Sequence, residues 1–152
     1  MIRAADIGDL ERLAELFREL HSYHCGIAPN KHRMPSGGFF RERLSETLSD
    51  SGYTVLVNDD NGVNGYAVVK IVDVDSEEKP PRRVCFIDCF AVAEGCRRRG
   101  VGTELFGAVA AFGKERGCTD VQLGADACNA DALAFYEKMG LSPRTVIMEK
   151  RI

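Results

Sequence analysis

The stretch from Val84 to Thr103 limits what this chain can fold into more than any other. Val84–Val92 is a near-continuous apolar run broken only by Asp88, the pattern of a strand covered on both faces. It passes through Ala93-Glu94-Gly95-Cys96-Arg97-Arg98-Arg99-Gly100 into a segment where Val101, Leu105, Ala108, Val109 and Phe112 recur at helical spacing. A buried strand, a Gly-rich turn and an amphipathic helix in that order expose the first amides of the helix beside three guanidinium groups. Those amides have no intrahelical partners, glycine permits close approach, and the helix dipole favours an anion. Helix-terminus attraction contributes about 0.3–1 kcal/mol per exposed interaction, so the arginines supply a needed second source of affinity. The predicted anion site therefore comprises Arg97, Arg98, Arg99, Gly100, Val101, Gly102 and Thr103.

Two phosphate-binding spellings are excluded. A Walker loop needs Lys-Ser/Thr after its second glycine, but Val101 follows Gly100. A dinucleotide fingerprint needs a third glycine where Leu105 stands.

The rest of the chain reads as alternating strands and helices. Met1–Ala4 is a short strand, and Asp6 caps a helix carrying Ile7, Leu10, Leu13, Ala14, Phe17 and Leu20 on one face. Cys25–Pro35 reads as a loop, and Ser36 as the cap of a second helix with Phe39, Phe40, Leu44 and Leu48 inward. Tyr53–Val57 and Val63–Val74 form a hairpin around Asn58–Gly62, and Glu77–Pro81 is a charged loop. Val121–Leu123 is a strand, Asn129 caps a last helix closed by Gly140, and Thr145–Glu149 is a final strand. Neither repeats nor linkers divide the chain, so residues 1–152 are expected to form one α/β domain.

Composition removes several function classes. The net charge of −3 gives no global field toward nucleic acid or anionic lipid, and no aromatic separates Arg97–Arg99 or Arg82–Arg83. Leu105–Gly113 is far shorter than the ~20 apolar residues of a spanning helix. Charges at Arg3, Asp6, Asp9 and Glu11 are unlike a signal peptide. The 6 cysteines are scattered with no CxxC pair, the usage of reduced thiols in a cytoplasmic protein. No nucleic-acid or membrane partner is expected.

The R-x-x-G-x-G spelling at Arg97–Gly102 resembles the acetyl-CoA motif of the GNAT superfamily of N-acetyltransferases. Ile87–Val92 looks like that family's central strand. Asn129–Leu141 looks like its N-x-x-A-x-x-F-Y-x-x-x-G-F helix, with Leu141 for Phe. Element order agrees along the whole chain. The family often has Pro and an aromatic where Glu94 and Cys96 stand, and the tail after Gly140 is short.

The resemblance implies a mixed, mostly antiparallel central sheet flanked by about four helices, with a splayed central strand pair. It implies acetyl-CoA as co-substrate, its pantetheine arm bonding the backbone of Phe90, Ala91 and Val92 and the side chain of Asn129. It further implies an amine acceptor, direct transfer in a ternary complex, and Tyr136 donating to the leaving sulfur. A small-molecule amine stands ahead of a protein amine. The alternative is a non-catalytic acyl-CoA-binding module, and an open sheet edge at the final strand allows a homodimer.

The chemistry also asks for a base, because an alkylammonium near pKa ~10.4 must lose a proton before it attacks. Asp88, an acid within an apolar strand, is the candidate; the competing reading is an Asp paired with arginine or exposed at a bulge. Cys89 and Cys128 flank the site, but no histidine near them in sequence activates a thiol, so both read as small hydrophobes. His21, His24 and Cys25 lack a second ligand cluster and read as the end of a surface helix, so no metal is expected.

Overall fold

The computed structural model describes residues 1–152 as β1 (Ile2–Ala4), α1 (Leu10–Ile27), α2 (Phe39–Ser49), β2 (Thr54–Asp59), β3 (Val63–Ser76), β4 (Lys79–Val92), α3 (Val101–Glu115), β5 (Asp120–Leu123) and α4 (Ala130–Lys138). The five strands form one sheet in the order β1-β2-β3-β4-β5. The first four are antiparallel to their neighbours and β5 runs parallel to β4. This is the expected mixed sheet with four helices.

Strand alternation divides the apolar residues between two cores. Val55, Val57, Tyr66 and Val68 meet Leu10, Leu13 and Leu16 of α1 and Phe40 and Leu44 of α2. Leu56, Ala67, Val69, Cys85 and Ile87 meet Leu105, Phe106 and Val109 of α3. Fully burying side chains such as Leu13, Leu16 and Leu105 contributes about 1.5–3 kcal/mol each, enough to seat both helical layers.

One residue breaks the alternation. Val68 pairs with Cys89 and Val69 with Ile87, so Asp88 is extra in β4 and forms a bulge. The bulge reverses the phase of the strand. Cys85 and Ile87 face α3, whereas Cys89 and Ala91 face α1. Asp88 itself is exposed.

Several expected boundaries move. Asp6 caps a 3-10 turn at Ile7–Asp9 rather than α1 itself, with Asp9 completing the reciprocal capping pair. Three residues per turn swing Ile7 off the inner face, leaving it 68% exposed. The first helix continues to Ile27, into the expected loop. Ser36 does not cap α2: Gly37, at φ 65°, and Gly38 intervene, and Gly38 holds the cap position. Phe39 is consequently exposed while Phe40 is buried.

Pro80 and Pro81 lie inside β4, not in a loop. They sit where the β3–β4 register shifts between Val74 and Ser76, beyond the reach of β5, so no ladder bond needs their missing N–H. The final strand Thr145–Glu149 is not formed. Residues 141–152 have no regular structure, with Val146, Ile147 and Met148 exposed. Strand propensity there meets no paired neighbour within the chain.

Candidate active site

The site begins where β4 and β5 part. Their ladder ends at Ile87↔Leu123, yet β4 continues to Val92, still paired to β3 through Gly65↔Val92, Tyr66↔Ala91 and Ala67↔Phe90. The β5-facing backbone of Phe90, Ala91 and Val92 therefore has no strand beside it. The Asp88 bulge lies at the head of this gap and increases local twist, the physical cause of divergence.

At the far end of the gap the chain turns into α3. Gly100, at φ 87°, occupies the cap position without any side-chain cap bond. The amides of Val101, Gly102 and Thr103 thus start the helix open to an external acceptor. Arg98 takes φ 60°, a left-handed conformation uncommon outside glycine and costly unless the turn is held in place.

The three arginines are exposed but differently employed. Arg97 folds back, donating from Nε to the Val92 carbonyl at 3.4 Å and lying 5.4 Å from the Tyr23 ring centroid. Arg98 and Arg99 carry no ion pair within the chain, which leaves them the two free cations of the turn. Gly102 has a packing role beyond ligand approach: a Cβ there would come within 3.3 Å of the Phe135 ring. It lets α4 lie close to α3.

Helix α4 completes the site. The Asn129 side chain accepts from the Ala132 N–H at 3.2 Å, the N-cap bond expected of it, and Asn129 is buried. Phe135 and Tyr136 meet Phe90, at centroid separations of 5.8 and 6.3 Å. Burial pushes the Tyr136 phenol up to about 12, with a smaller contribution from Cys89. It is therefore a neutral O–H donor over the whole working pH range.

Cys89 approaches Tyr66, with its sulfur 3.2 Å from the hydroxyl oxygen. Burial pushes the thiol up to about 11 despite that bond, so Cys89 stays protonated and is a poor nucleophile. Tyr66, buried, rises well above the usual phenol range for the same reason. The Tyr66–Cys89 pair was not legible in the sequence because it depends on the bulge that turns Cys89 toward α1.

Between α1 and the start of α2, His21, Arg33, Met34, Pro35, Ser36 and Phe39 line a cleft of about 690 Å³. A second hollow of about 380 Å³ is lined by Arg3, Asp9 and Asp59, whose charges satisfy one another.

The acetyltransferase (GNAT) family pattern matches residues 10–141, most of the chain and every part of the site described above. The chain belongs to the GNAT acetyltransferase family. Solved structures agree on the fold of this acetyltransferase. A mutant of the BH1408 protein from Bacillus halodurans superposes with a TM-score of 0.94 at 25% identity, covering 100% of this chain and 99% of that one. The aminoglycoside N-acetyltransferase AAC(6')-Iy in complex with CoA gives 0.71 at 19% identity, with 100% of both chains covered. AAC(6')-IG from Acinetobacter haemolyticus, an aminoglycoside antibiotic 6'-N-acetyltransferase, gives 0.72 at 20%, covering 100% of this chain and 99% of that one.

Proposed function

We propose that this acetyltransferase moves an acetyl group from acetyl-CoA to the primary amine of a small molecule by direct attack in a ternary complex. One observation carries the reading: the unpaired side of β4 leads directly to the uncapped start of α3. An extended amide-bearing arm fits the first, and a diphosphate fits the second.

In this reading Arg98, Arg99 and the amides of Val101, Gly102 and Thr103 hold the diphosphate, and Arg97 stiffens the turn through Val92 and Tyr23. The pantetheine amides bond the backbone of Phe90, Ala91 and Val92 and reach Asn129. A β4 N–H also faces the thioester oxygen and stabilises the charge it gains. Tyr136 donates a hydrogen bond to the departing sulfur. With its phenol near 12 and a thiol near ~8.5, complete transfer would be uphill by roughly 5 kcal/mol, so Tyr136 acts as a fixed donor. Asp88, exposed on the bulge, is the proposed carboxylate that draws the ammonium to the head of the gap.

The cleft between α1 and the start of α2 supports a small-molecule acceptor, since Met34 and Phe39 offer it an apolar wall. A single domain over 1–152 is supported by two cores built on one sheet. Unpaired cysteines and the lack of any helix long and apolar enough to cross a membrane support a cytoplasmic setting.

Titration with acetyl-CoA at low ionic strength is expected to give saturable heat that weakens steeply as salt rises, because the diphosphate contacts are charged and exposed. No saturation at any salt concentration would remove the proposal. Saturation without CoA release for any amine would instead leave a non-catalytic acyl-CoA-binding module. A homodimer is proposed through pairing of residues 145–149 with a second copy, whose exposed Val146, Ile147 and Met148 would then be covered. Light scattering should show mass rising with concentration, and a monomer throughout excludes it.

A further inference from the structure

Three histidines that the sequence scatters over two elements meet on the α1 side of the gap. His21 and His24 lie on α1 and His32 in the following loop. The His32 ring centroid is 5.9 Å from that of His21 and 5.4 Å from that of His24. The His32 Nε2 lies 2.9 Å from Asp126 Oδ2, across 94 residues of chain. Lys31 grips the other oxygen of that carboxylate, also at 2.9 Å.

Asp126 stands three residues beyond Leu123, where β5 leaves β4, and three before the Asn129 cap. On the opposite bank, α1 packs over Cys89 and Ala91 of β4. The His32–Asp126 bond therefore ties the loop after α1 to the loop between β5 and α4, and His21, which His32 packs against, lines the cleft.

We propose that His32, oriented by Asp126 and backed by His24, is the base that takes the proton of the acceptor amine. This rests on the acetyl-transfer reading and adds to it the group that Asp88 alone does not supply. An ordinary carboxylate lies about 6.5 pKa units below an alkylammonium and an ordinary imidazole about 4 units below, so the imidazole is the better-matched acceptor.

The hydrogen bonds fix the tautomers. A carboxylate only accepts, so with neutral imidazole the His32 proton sits on Nε2 and Nδ1 carries the free lone pair. His21 likewise donates from Nε2 to the Arg33 carbonyl at 2.8 Å. The His24 ring makes no hydrogen bond, and burial, helped by His32 and His21, holds it below the usual imidazole range. It adds no competing cation next to His32. Hydrogen bonds from His32 and Lys31 keep Asp126 below the usual carboxylate range, so it remains a charged anchor. Asp126 raises Lys31, with smaller contributions from Cys128 and Glu149.

The step balances. The ammonium gives one proton to His32 Nδ1, and its nitrogen pair forms the bond to the thioester carbon. The C–S pair leaves with sulfur, held by Tyr136 O–H. The second proton lost from nitrogen ends on that sulfur, and His32 releases its own to solvent. Asp126 and His24 are positioning residues.

The test measures kcat/KM against pH with acetyl-CoA and three probes: phenethylamine, a lysine ester and an aminosugar. The wild type is expected to show an acid-side fall as the base becomes protonated. His32→Gln, which keeps a donor toward Asp126, should lower kcat/KM about 100-fold or more and abolish that fall, with acetyl-CoA affinity within about twofold. His32→Gly should regain turnover with added imidazole, which a purely structural role would not allow. Asp126→Asn should lower the rate less and shift the fall in pH. An unchanged acid limb in His32→Gln overturns the inference while acetyl transfer stands. No transfer by wild type to any probe overturns the acetyl-transfer reading, and the inference with it.

Discussion

Tyr136→Phe is expected to lower kcat by about 10- to 150-fold while leaving acetyl-CoA affinity within about twofold. The magnitude is that of one hydrogen bond to a developing charge, about 1.5–3 kcal/mol. The phenol ring packs beside Phe90 and Phe135, and Phe keeps that ring, so the local packing and the position of α4 should survive. Only the donor to sulfur is lost, and sulfur carries charge late in the reaction, not in the bound thioester. The loss should therefore fall on turnover rather than on binding. Because the phenol is held near 12, its ionisation should cause no alkaline fall of wild-type turnover within the working range. The measurement is steady-state CoA release with calorimetric affinity on the same samples. Unchanged kcat would remove Tyr136 from the chemistry, and an alkaline fall near pH 8 absent from Tyr136→Phe would mean the phenol titrates in the working range.

How much of this was legible depended on whether the governing interaction was local. The Arg97–Gly102 turn, the Asn129 cap and the β2–β3 hairpin are each decided by a few adjacent residues, and the chain spells them out. The bulge at Asp88 is not local. It follows from how β4 must register against β3 so that Cys85 and Ile87 meet α3 while Cys89 and Ala91 meet α1. An acid within an apolar run hinted at something unusual, and the bulge accounts for its exposure.

Distance in sequence hid the histidines too. His21 and His24 looked like the end of a surface helix because their partners, His32 and Asp126, share no motif with them. Residues 145–149 show the opposite failure. The strand-prone run Val146-Ile147-Met148 reads as a strand, but strand-forming residues need a neighbour's ladder, and none is available in this chain.

Gly65→Ala is expected to destabilise the protein by about 1–3 kcal/mol and to weaken acetyl-CoA binding at least tenfold, the added methyl being overpacked against its neighbours. Its Cβ would stand 2.8 Å from the Ala91 carbonyl oxygen, 3.3 Å from Val101 Cγ1 and 3.4 Å from Val92 Cγ2. The nearest of these is backbone, which cannot rotate away. Relief requires β3 and β4 to separate at the residues whose other side forms the gap, or α3 to retreat from Val92. Either movement disturbs both the pantetheine strand and the amides proposed for the diphosphate. Gly107→Ala is the matched control. It lies exposed within α3 with nothing inside 4 Å of the added carbon, and should raise stability by about 0.5–1 kcal/mol through helix preference alone. Urea midpoints with calorimetric titration of both variants separate the effects. A Gly65→Ala protein as stable as wild type and binding acetyl-CoA equally well would mean that the approach of β3 to β4 does not set the site.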